Sequence, residues 1–275
     1  MQDLQRIEEE HYRLREGEQL QDYVTLMLQF IGDPQPELRD ELIYPTFYEW
    51  ITEKNRFNET ELRSLLIVLT DEQHLFYHIG REGDPSVFTR TFSILPIVLI
   101  VRRHRQQPFL DLDDFQHLKN SLLRYYNEEK DLRGYVSEGG WAHSAAHGAD
   151  ALVELVQCPE SDETLQLEVL GAVKGMLHNG IQIFNEEDDE RIVSIVDSMI
   201  DKDLIPKKVV EEWISGLTQC TDWPRSRSQV IARVNSKNFV RSLYFRRRQD
   251  SQVNGFVESL LAAEAKLNKF AISKF

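Results

Sequence analysis

The chain has 275 residues, is 41% hydrophobic and 28% charged, and carries a net charge of −14. That length suits one large domain or two packed subdomains, read here as a single domain, 1–275, and the balance allows a full core. The acidic excess argues against general nucleic-acid binding, because like charge repels phosphate.

No run approaches the roughly 18 apolar residues of a membrane span, and the greasiest stretch, Ser93 to Val101, reads as a buried core helix. The N-terminal MQDLQRIEEEHYRLRE is charged and lacks the apolar centre of a signal peptide. Cys158 and Cys220 are too few for a disulfide framework and lack CxxC spacing, so they read as free thiols in a reducing cytoplasm.

Helical periodicity runs through nearly the whole chain. Leu20, Tyr23, Val24, Met27, Leu28 and Ile31 form one apolar stripe, ended by GDPQP. A second helix is predicted from Pro36 to about Trp50 or Thr52, since proline suits a first turn. Asn58 with Glu61 three residues on resembles a capping box, opening a helix expected to reach His78. Asp84-Pro85 signals another start, with Pro96 inside the helix that follows. Asp111 or Asp113 opens the next, which runs to about Glu129. After the polar loop KDLRGYVSEGG comes a helix from about Trp141 to Gln157, and then one from Ser161 or Asp162 to His178. Glu186 to Ile200 follows with an acidic first turn that suits the helix dipole. Pro206 opens a short helix, and two more lie near Ser228 to Arg248 and Gly255 to Asn268. Ten to twelve helices of this length, joined by short loops, predict an all-α fold. The favoured form is an α-α superhelix of stacked helical hairpins, of the HEAT or armadillo type, with degenerate repeats.

Charge is unevenly distributed. Eleven Lys/Arg face three Asp/Glu between Trp223 and Phe275, a local +8 that leaves −22 on the rest of the chain. A basic C-terminal stretch on an acidic body most simply docks onto that body.

The stretch GGWAHSAAHGAD, Gly139 to Asp150, is the most informative. On a helix, His143, His147, Asp150 and Glu154 fall within about 60° of one another. Ala145, Ala149, Leu152 and Val156 form the opposite, apolar face. The small residues Ser144, Gly148 and Ala151 flank the polar stripe and permit close approach. His143, His147 and Asp150 could reach one divalent metal ion, with a fourth ligand from His78 or the acidic run Glu186 to Glu190. A metal is not the favoured reading, because the pattern is not HExxH. The same residues could instead line a ligand or catalytic pocket, with His147 as a base and Asp150 orienting it. In a purely structural reading, Asp150 fixes a histidine tautomer or pairs with Arg90 or Arg191. His74 and His78 read as a surface or core pair, the EEDDER run as a solvated helix start, and RSLYFRRR, Arg241 to Arg248, as a basic face lying on the acidic body. No phosphate loop, GxGxxG, GxSxG, CxxC or EF-hand pattern is present.

The segment DLRGYVSEGGWAHSAAHGADAL, Asp131 to Leu152, resembles the signature of a bacterial domain-of-unknown-function family: a DLRGY turn followed by GWxHxxAHxAD. ELRDELIY (Glu37 to Tyr44), VFTRTFSIL (Val87 to Leu95), EDDER (Glu187 to Arg191) and NFVRSLYFR (Asn238 to Arg246) are similar to the same family. The family pattern has EDER where this chain has EDDER, which offsets the roles of Asp188 and Asp189 by one residue. The resemblance implies an all-helical fold and no particular activity. It groups Arg90, Arg133, Trp141, His143, His147, Asp150, Glu187, Asp188, Arg191 and Arg241 as positions to consider together.

These readings converge on an expected pocket for a small polar or anionic ligand, lined by Arg90, Trp141, His143, His147, Asp150, Glu187 and Arg191. The alternatives are a scaffold that binds a protein partner and keeps its histidines structural, and a metal-dependent hydrolase. Neither a nucleic acid nor a membrane is an expected partner.

Overall fold

The computed structural model describes residues 1–249 and 254–270. The fold is all-α: thirteen α-helical segments and a single two-stranded hairpin lie among the described residues. None of the described helices is long and apolar enough to cross a membrane. The chain divides into two compact units, Met1–Glu160 and Ser161–Phe275.

The first unit opens with α1 (Gln2–Glu9) and α2 (Leu20–Gln29). A continuous rod, 36–53, follows. It runs through α3 (Pro36–Leu38), a π-helical turn (Arg39–Ile43), α4 (Tyr44–Tyr48) and a second π-helical turn (Glu49–Glu53). Pro36 occupies the first turn, as its lack of an N–H allows. The Asn58/Glu61 capping box opens α5 (Glu59–Leu69).

That helix ends well before His78. The Asp71 carboxylate accepts from the Gln73 backbone N–H and lies 2.8 Å from His74 Nδ1, so local side-chain bonds outcompete the helical ladder. Arg124, whose guanidinium lies over the Phe76 ring, holds the irregular stretch that follows against the unit.

The core of the unit is α6 (Ser86–Gln106), buried on all sides from Val87 to Val101 except at Thr89. Pro96 sits inside it without ending it. α7 (Leu112–Glu128) begins at an Asp111/Asp114 capping box and packs on α8 (Ser144–Val156), the most extensive partner of α6. Between α7 and α8 stands the hairpin, β1 (Tyr135–Val136) and β2 (Gly140–Trp141), with Tyr135 directly opposite Trp141. The helix expected from Trp141 therefore starts three residues later, because Trp141 belongs to a strand.

The second unit holds α9 (Glu163–Leu177), α10 (Asp188–Asp201), α11 (Lys207–Leu217), a 3-10 turn (Thr218–Asp222), α12 (Arg227–Arg247) and α13 (Asn254–Leu267). Asp162 and Ser226 cap α9 and α12 through their side chains. The basic end of α12 lies on acidic α10. Arg246 reaches Glu190 at 2.6 Å, and Arg247 reaches Asp197 and Asp201 at 2.6 Å each. Arg241 pairs with Glu264 of α13 at 2.6 Å. For these residues the basic face is satisfied internally.

Candidate functional site

The DLRGY turn explains itself as a structural knot. Glu129, just before it, takes the Arg90 guanidinium in two parallel bonds of 2.6 and 2.9 Å, with both side chains fully buried. The remaining Arg90 donors go to Ser86 Oγ and to the carbonyls of Tyr77, His78 and Arg81. Arg90 is thus enclosed and spent on holding α6 to the 77–81 segment and the turn. It presents nothing to a ligand, which corrects its place among the expected lining residues.

Asp131 accepts from Arg133 and from the Gly83 N–H. Its carbonyl accepts from Ser144 Oγ at 2.5 Å, while the Gly134 carbonyl accepts from the Ala142 N–H at 2.8 Å. These bonds fix where α8 begins.

Its first residues are held tightly. His143 is the N-cap and adopts the left-handed conformation, φ 46° and ψ 39°. For a residue with a bulky side chain this costs about 1–3 kcal/mol. Its ring stacks on Trp141 at 4.4 Å and 6° between planes. Trp141 remains 42% exposed and meets Tyr135 edge-on at 5.0 Å. One turn on, the buried His147 ring lies 5.9 Å from His143 and stands edge-on to Phe92 at 5.9 Å. Asp150 follows on the same helix, half-buried. Trp141, His143 and His147 are therefore a contiguous ring series, which helical spacing did not express because Trp141 lies on the strand before the helix. Glu154 leaves the stripe, since Arg102 and Arg105 hold it at 2.9 and 3.2 Å.

The small residues beside the stripe admit a pair of rings there rather than another backbone. A β-carbon on Gly148 would stand 2.8 Å from Tyr126 and 3.2 Å from Tyr125 of α7.

Two residues beneath this series were not singled out from the sequence as site residues. Arg39 is fully buried, with its guanidinium 4.0 Å over Phe88 and 4.3 Å over Phe92. It donates to the carbonyls of Asp33 and Gly139, tying the rod to the hairpin. Burial pulls its pKa down. Asp40 lies 3.4 Å from Arg39, and burial raises its carboxyl above the ordinary value while Arg39 and, more weakly, His143 pull it back. The only sequence signal for this pair was two charges inside the apolar pattern of ELRDELIY, and it takes the π-helical turn to aim them inward.

Glu187 and Arg191 belong to the second unit. Glu187 caps α10 in the left-handed conformation, φ 63°, and both side chains are exposed. His78 is exposed and stacks on Tyr77 at 4.1 Å.

Among the described residues, His104, Cys158 and Glu160 bring their ligating atoms within 4.8 Å of one another. The donor set does not fit an ion. His104 Nδ1 accepts the backbone N–H groups of Phe109 and Leu110 at 3.0 and 3.1 Å, so the ring hydrogen sits on Nε2, facing Glu160 at 3.1 Å. A histidine that binds metal through Nε2 carries its hydrogen on Nδ1 instead. Burial also pushes the Cys158 thiol up to about 12, away from the thiolate a metal needs. The cluster fastens the 107–111 linker to the end of α8.

Residues 75–245 match the family described as "Protein of unknown function (DUF2785)". No curated protein and no solved structure matches the chain. The matched stretch contains α6, the DLRGY knot, the hairpin, α8 and the acidic start of α10, and it stops short of the Arg39–Asp40 turn. It covers more than half of the sequence, so the chain belongs to the DUF2785 family.

Proposed function

We propose that this chain is a ligand-binding protein, and that Trp141, His143, His147 and Asp150 form its site. The ligand is small and polar, and His147 with Asp150 is the pair suited to hold or move a proton on it. One observation carries this reading. His143 keeps a costly left-handed backbone and spends it on stacking against a tryptophan that stays 42% exposed. Strain of this kind persists where surrounding structure enforces it, and it concentrates at functional sites.

The test compares wild type with His143→Asn and His147→Ala by thermal shift, using inorganic phosphate, acetate, glucose and tetramethylammonium as probes. Asparagine tolerates the left-handed region, so His143→Asn keeps or raises the melting temperature. At least one probe is expected to stabilise wild type and neither variant. Should no probe act, and should both variants lose about 1–3 kcal/mol, the histidines are structural and the proposal falls.

A further inference from the structure

At the end of α2 the first unit holds an open cavity of about 310 Å³, built from none of the ring-series residues. Its walls come from α2 and the turn after it, from the irregular stretch 71–79, and from α6. Gly32 brings these walls together. A β-carbon there would run into the Thr89 side chain and stand 2.6 Å from the Thr89 backbone, so the chain passes this close to α6 only as glycine. Thr89 is the one position of α6 between Val87 and Val101 that is not buried, and it lines this cavity. Two buried arginines hold the backbone on either side. The Tyr77 carbonyl accepts from Arg90 at 3.0 Å, and the Asp33 carbonyl accepts from Arg39 at 2.6 Å. Four neutral polar side chains, Gln29, Gln73, Tyr77 and Thr89, converge on this frame from three separate parts of the chain. Their amide and hydroxyl groups have no hydrogen-bond partner among the described residues. Beside them Phe30 stays 42% exposed, and Asp33 accepts the Gln35 backbone N–H through Oδ1 at 2.9 Å.

We propose that this cavity binds a neutral polyhydroxylated molecule the size of one sugar ring. It is a second site, independent of the reading of the ring series. Amides and hydroxyls both donate and accept, which matches ligand hydroxyls that do the same. Phe30 offers an apolar surface to the C–H face of such a ring. The volume lies at the lower end of the range for small-molecule sites, about 300–1,000 Å³, and so suits a monosaccharide or cyclitol rather than a longer chain. Charged ligands fit worse. Among the described residues no Lys, Arg or His lines the cavity, so an anion meets only the Asp33 carboxylate. A divalent cation needs several charged or carbonyl oxygens, and Asp33, with one oxygen already engaged, is the only carboxylate among the described lining residues.

The experiment is saturation-transfer NMR on the full chain, with methyl β-glucoside, myo-inositol and glycerol as probes and acetate and tetramethylammonium as charged comparisons. At least one of the two ring polyols should receive saturation in a dose-dependent, saturable way, with less transfer to glycerol and none to the ions. Gln73→Leu and Thr89→Val each remove one polar group from the cavity. Gln73 is exposed and valine keeps the shape of threonine, so both variants should hold the wild-type melting temperature. Each should weaken the affinity of the bound polyol at least about threefold. Transfer to no polyol overturns the proposal, as does transfer to an ion in preference to the polyols. So does a polyol that either variant leaves at wild-type affinity, because it then binds elsewhere.

Discussion

His143 and Arg90 show two ways a polar residue is kept inside a helical protein. Arg90 is neutralised: its guanidinium meets Glu129 in a bidentate pair, and every remaining direction ends on an oxygen. Removing one member of such a pair strands the other's charge. Arg90→Met should therefore cost about 3–5 kcal/mol in urea denaturation, and adding Glu129→Leu should recover part of that loss. A double variant as unstable as the single one would show that the arginine's carbonyl contacts, not the ion pair, dominate. His143 is different, because its cost is in the backbone. The sequence marked it by spacing to His147 and Asp150, and that much was legible. What spacing could not express is that His143 precedes the helix and owes its place to the hairpin, whose Trp141 ring it meets nearly parallel. Arg39 and Asp40 were illegible as site neighbours for a related reason. A periodic reading assumes 3.6 residues per turn, and a π-helical turn breaks that assumption at these two residues.

At the level of elements, starts were easier to read than ends. Asn58, Asp111, Asp162 and Pro36 announce helices through local chemistry, a side-chain acceptor or a missing N–H, and the structure places helix starts there. The end of α5 was misjudged because leucines and histidines continue the period while Asp71 withdraws backbone donors from it. His178, just past the end of α9, shows how such an end is then fixed. Its Nε2 lies 3.2 Å from the Leu217 carbonyl of α11 and 3.1 Å from Ser236 Oγ of α12. Burial holds its pKa below the ordinary 6.5. The unfolded chain consequently takes up this proton first as pH falls, so the contribution of His178 is present above 6.5 and is lost as pH drops through the folded value. Urea midpoints should decline from pH 7 to pH 5, and His178→Gln, which can still donate to Leu217, should flatten that decline. An unchanged slope would place the pH dependence on other groups.

For the whole molecule, the two cysteines report on integrity. Burial raises both thiols, Cys158 to about 12, and neither sulfur is reachable in the folded chain. Iodoacetamide at pH 8 should leave both unmodified until urea unfolds the protein, after which mass spectrometry should find two adducts. Rapid labelling of Cys158 in native buffer would contradict its burial. The sequence by itself determined the all-α class, the order of the helices, the apolar centre at α6 and the ring-bearing motif, because periodicity and capping are local properties that short windows carry. Tertiary structure decided the rest. It sent Arg90 into the core and away from any ligand, drew Arg39 and Asp40 under the histidines, and turned Trp141 out on a hairpin. It also locked His104 by two backbone donors beside a thiol it does not activate. Each of these depends on which distant groups meet a side chain. Contacts between residues 39 and 139, or 90 and 129, obey no local period, so only the folded chain reveals whether a polar residue is satisfied inside or offered outside.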